Sequence, residues 1–77
     1  TMIRYQLPEE TNVTVAIYDI MGRKVRTLLS SENQLAGYRQ VMWNATNDIG
    51  QPVSAGMYIY TIQAGTFRMT KKMVLMK

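Results

Sequence analysis

The sequence predicts an all-β fold, a small sandwich of short antiparallel strands, and three observations carry that prediction. Its apolar residues recur with a period of about two rather than about 3.6, as half-buried strands require. Turn-forming residues interrupt the chain at short intervals, its five glycines dispersed about one per turn. No stretch has the length and apolar spacing of an amphipathic helix.

Each element follows from its own residues. Residues 2–7 alternate, with Ile3, Tyr5 and Leu7 on one face and Arg4 and Gln6 on the other, and Pro8 ends the ladder because it has no N–H to donate. In residues 13–18 the branched Val13, Val15 and Ile17 share a face. Asp19-Ile20-Met21-Gly22 then supplies a tight reversal, with Gly22 at positive φ, into a strand over 23–28. Residues 30–37 are polar and read as a loop. Residues 38–43 alternate again, setting Val41 and Trp43 opposite Gln40 and Met42, with Trp43 as the expected core anchor. Residues 44–50 form a polar loop. The strongest strand signal is 57–62, with Tyr58 and Tyr60 on one face; Ala64-Gly65 turns it back into a last strand within 66–77, antiparallel to it. Tyr58, just past Ser54-Ala55-Gly56, is placed to act as a tyrosine corner. Six or seven strands result, and the expected fold is a small immunoglobulin-like β-sandwich of about seven antiparallel strands.

Composition bounds what such a domain can do. At 77 residues the chain is a single domain over 1–77, with an expected stability margin of only about 3–5 kcal/mol. It has no cysteine and no histidine, which removes the thiol nucleophile, the commonest general base and the usual zinc ligands. Glu9 and Glu10 are neighbours in a turn and diverge, so they do not form a catalytic carboxylate pair. The expectation is a non-enzyme with no cofactor. Asn44, Asn47 and Asp48 place hard oxygens in one loop and are the candidate calcium ligands, against the alternative that they simply form the turn. Asn12-Val13-Thr14 and Asn44-Ala45-Thr46 fit the glycosylation acceptor pattern. Net charge is +4, but the tyrosines lie in strands and do not interleave with exposed cations, so nucleic acid is not an expected partner. No apolar run is long enough to span a membrane. The opening residues already alternate as a strand, as expected of a piece excised from a longer chain. Arg68, Lys71, Lys72 and Lys77 make the C-terminal end basic, and no acid follows Asp48.

The order of motifs resembles a known family. Ile17-Tyr18-Asp19-Ile20-Met21-Gly22-Arg23-Lys24-Val25 is similar to the hairpin signature IYD-x-x-GR-x-V. That signature marks the type A C-terminal sorting domains of the type IX secretion system and the related Ig-like domain of flagellar hook-capping proteins. The segment from Gly37 to Trp43 and its Asn-rich sequel resembles their G-x-x-x-V-x-W-(D/N) strand and loop. The segment from Gly50 to Tyr60 resembles G-x-x-V-x-x-G-x-Y-x-Y, and that from Thr70 to Lys77 resembles the terminal T-K-K-(M/V)-x-x-x-K. Asn44-Ala45 stands where the family commonly has Asp-Gly.

The resemblance implies a non-catalytic address carried behind N-terminal cargo domains, engaged by an outer-membrane translocon and cleaved by a sortase-like peptidase. It further implies a secreted or cell-surface destination reached via the periplasm. By motif match, Gly56, Tyr58, Lys71, Lys72 and Lys77 are the recognition residues. Two alternatives stand beside it. One is a structural Ig-like accessory module of a multidomain extracellular enzyme or hook-cap protein. The other is a carbohydrate-binding module using a flat face of Tyr5, Tyr38 and Trp43. Lys71 and Lys72, as neighbours on a strand, must point to opposite faces, and one must meet the sandwich edge or snorkel past it; protection of that edge against aggregation is the competing reading of both.

Overall fold

A computed structural model describes residues 1–76 and contains six strands: β1 (Met2–Leu7), β2 (Thr11–Asp19), β3 (Lys24–Gln34), β4 (Gly37–Met42), β5 (Gly56–Ala64) and β6 (Phe67–Leu75). β1 and β4 form one antiparallel sheet, and the other runs β3-β2-β5-β6, antiparallel throughout. The fold is the all-β, Ig-like sandwich that alternation predicts.

Its core is the set of inward positions read from that alternation. Ile3, Tyr5 and Leu7 of β1 meet Val13, Val15 and Ile17 of β2 and Tyr58, Ile62 and Ala64 of β5, with Leu75 closing the group from β6. Val13, Val15, Ile17 and Trp43 are all 0% exposed. Trp43 follows β4 and is locked by the chain start: its N–H donates to the Thr1 carbonyl at 2.8 Å, and the Thr1 amine donates to the Trp43 carbonyl at 2.9 Å.

Two expectations need correction. No seventh strand occurs among the described residues. Between β4 and β5 the chain makes only the isolated bridge Thr46–Pro52, because Ala45 and Gly50 sit at φ 64° and 84° and interrupt any extended run. Residues 30–34 are not loop either; they belong to β3, which leaves only Leu35 and Ala36 to reach β4. Their polarity is tolerated because β3 is an edge strand. Pairing with β2 decides the matter: Thr11, Asn12 and Val13 face Gln34, Asn33 and Glu32. The price is regularity, for the β2–β3 ladder slips at three places. At one of them Ser31 takes φ 49° and donates its N–H to Thr14 Oγ1 at 2.9 Å.

Candidate functional site

Near the start of the C-terminal hairpin lies Tyr58, whose side chain is buried. Its hydroxyl donates to the Ser54 carbonyl, four residues upstream, at 2.6 Å. That is the bond of a tyrosine corner. Its ring meets Trp43 edge to face, centroids 5.2 Å apart at 73°. Trp43 Nε1 in turn donates to the Thr46 carbonyl at 2.9 Å. The two aromatic polar groups thus fasten the long β4–β5 connection at both ends. Gly56 opens β5 at φ 143°, in open space where a Cβ would meet nothing, so its requirement is conformational.

The same connection is tied to β3. Arg26 donates to Thr46 Oγ1 and to the Asn47 carbonyl at 2.8 and 2.9 Å, and the Thr27 N–H reaches Asp48 Oδ1 at 2.9 Å. Asn44 Oδ1 accepts from the Thr46 hydroxyl, and Asn47 Oδ1 from the N–H groups of Ile49 and Gln51. The oxygens of the calcium candidates each accept from a different donor, as the alternative turn-forming reading requires. No group of three or more acidic, histidine or cysteine side chains gathers into a metal-binding cluster among the described residues. Arg26 is a fastening residue that the sequence did not single out; its only signal was a charge amid a half-buried strand.

β6 carries the basic end. It pairs with β5 without a break from Gly56–Leu75 to Ala64–Phe67. Gly65, at φ 61°, makes the two-residue turn. Met69, Met73 and Leu75 face the core, which sets Lys71 in the inward row, opposite Tyr60, and Lys72 outward, opposite Ile59. Both lysines are exposed, and neither makes an ion pair among the described residues. Lys71 stays wet because a two-stranded sheet does not span the four-stranded one facing it; Phe67 in the same row is 57% exposed. Of the five recognition residues, Lys71 and Lys72 are at the surface, Gly56 and Tyr58 lie in the neighbouring strand, and Lys77 falls outside the described residues.

The platform of Tyr5, Tyr38 and Trp43 does not exist. Tyr5 and Trp43 are buried while Tyr38 is 86% exposed, as period-two alternation between residues 38 and 43 requires. The Tyr5 hydroxyl is hydrogen-bonded to Gln34 Oε1, and burial pushes its pKa up, partly offset by that bond. A groove of about 660 Å³ lies over the outer face of β1 and β4, walled by Arg4, Gln6, Tyr38 and Gln40, with no carboxylate among its lining residues. At the other end of the molecule, Asp19 caps the β2–β3 turn, accepting from the N–H groups of Met21 and Arg23 and from Arg23 Nε, each at 2.9 Å. The Arg23 backbone N–H foremost holds this carboxyl below its ordinary pKa. No helix among the described residues is long and apolar enough to cross a membrane.

A two-sheet sandwich fastened by buried aromatic groups, with three cations and no acid on the edge strand β6, is a structural Ig-like module. The chain belongs to the FlgD Ig-like domain family, whose model matches residues 2–67, a family of non-catalytic structural domains. Neither a curated protein nor a solved structure matches the chain.

Proposed function

We propose that this structural module serves as a C-terminal sorting address, read at β6 by the outer-membrane translocon of the type IX secretion system. A sortase-like peptidase then removes it, and N-terminal cargo domains reach the cell surface or medium via the periplasm. One observation carries the reading: the family match ends at residue 67, and the segment beyond it is a basic, exposed edge strand that bears the sorting-type motif beginning Thr70-Lys71-Lys72. In this reading Lys71, Lys72 and Lys77 meet the translocon, while Gly56 and Tyr58 hold β5, to which β6 is paired.

The test is a secreted reporter fused to residues 1–77 in a type IX-competent host. Lys71→Ala with Lys72→Ala is expected to abolish export while leaving the fold intact. Unchanged export would favour the second reading, a structural accessory module of an extracellular enzyme or hook-cap protein, which the match over residues 2–67 supports by itself.

A further inference from the structure

The sheet edges of this domain are unequal. β3 is interrupted three times in its ladder with β2, and such bulges blunt an edge. β1 and β4 each offer six residues. β6 offers nine, in unbroken register with β5 and with no strand on its far side among the described residues. A two-residue turn closes on a hydrogen-bonded pair, here Ala64 and Phe67, and bonded and non-bonded pairs alternate along the ladder. Arg68, Thr70, Lys72 and Val74 therefore turn their N–H and C=O groups toward the free edge. The strand holds three cations and no acid, none of them in an ion pair among the described residues.

We propose that β6 docks its partner by strand addition, and that the added strand is an extended acidic segment whose carboxylates lie against Lys72 and Arg68 on the outer face and Lys71 on the inner. The inner face asks for apolar residues as well, beside the exposed Phe67 and the half-buried Met69 and Met73. A second copy of β6 does not fit, because it would set cation against cation across the new ladder. Main-chain bonds supply the attachment and the charges select the partner. The inference rests on the reading of β6 as the recognised strand and specifies how recognition occurs.

The probe is a synthetic peptide of about ten residues, matched to the length of β6, with glutamates along one face and valine and threonine flanking a single central glutamate on the other. A matched peptide with lysine for glutamate is the control. With the 77-residue chain, the acidic peptide is expected to slow amide hydrogen exchange at Arg68, Thr70, Lys72 and Val74 about tenfold or more, and its binding to weaken with added salt. Lys72→Glu should weaken binding by about tenfold. Thr70→Pro removes an edge-facing N–H without taking a bond from β5, and should abolish protection with the domain still folded. Equal binding of the two peptides, protection elsewhere, or no binding at all would overturn strand addition. If the peptide docks on β6 but the double lysine variant is exported normally, docking stands and the sorting role falls. If export depends on the lysines but the peptide does not dock, sorting stands and strand addition falls.

Discussion

Replacing Tyr58 with phenylalanine removes one hydroxyl and leaves the ring, its burial and its edge-to-face contact with Trp43 in place. The lost bond is short, 2.6 Å to the Ser54 carbonyl, and a net contribution of about 0.5–1.5 kcal/mol is usual for such a bond. Ser54 is exposed, so water can satisfy its carbonyl in the variant. That sets the cost near about 1 kcal/mol rather than the larger penalty of an orphaned buried acceptor. In a domain of this length that is a fall in Tm of about 4–8 °C, a sizeable part of a margin of about 3–5 kcal/mol. Urea unfolding followed by the emission of the single tryptophan should show a lower midpoint with an unchanged slope. Tyr38→Phe, at an exposed position, is the control and should change nothing. A Tm change under about 2 °C, or one equal to the control, would refute the claim that the corner fastens the β4–β5 connection.

Three further outcomes follow from the same geometry. Ala45 lies at φ 64°, a conformation costing an L-residue about 1–2 kcal/mol; against this, glycine adds about 0.4–1 kcal/mol of unfolded-chain entropy. Ala45 also packs its methyl on the core, worth up to about 0.8 kcal/mol, so thermal melts should place Ala45→Gly close to the parent and Ala45→Val below it. Asp19 has a folded pKa below its ordinary value, so its contribution is present above the usual carboxylate range and lost as pH falls through the folded value, where the unfolded chain already binds the proton; urea midpoints should drop in acid, and less steeply in Asp19→Asn. Lys71→Ala with Lys72→Ala should change stability by under about 0.5 kcal/mol in equilibrium unfolding, since both side chains are exposed and make no ion pair among the described residues.

Much of the core is legible in the sequence. Ile3, Tyr5, Leu7, Val13, Val15, Ile17 and Trp43 all fall inside as their alternation requires, and the corner at Tyr58 follows from its place after Ser54-Ala55-Gly56. Residues 30–34 escaped because nothing local favours a strand there; the stretch is extended only because β2 lies beside it. The choice between turn and calcium at Asn44, Asn47 and Asp48 stays open in the sequence, since Asn and Asp oxygens look alike there whether they face a cation or their own backbone. The alternative carbohydrate face is excluded by alternation itself, for residues 38 and 43 fall on opposite sides of any strand that contains both, and Trp43 is the core anchor that its pattern predicts.

By itself the sequence determined the strand pattern, the turns at Gly22 and Gly65, the inward set and the absence of histidine and cysteine chemistry, all of which depend on residues close together in the chain. Tertiary structure alone decided that the described residues form six strands rather than seven, that β3 is the interrupted edge and β6 the regular one, and that Lys71 faces inward yet remains in water. These depend on which strand lies beside which and on how far two and four strands overlap. No spacing of residues along one strand encodes the width of the sheet that faces it.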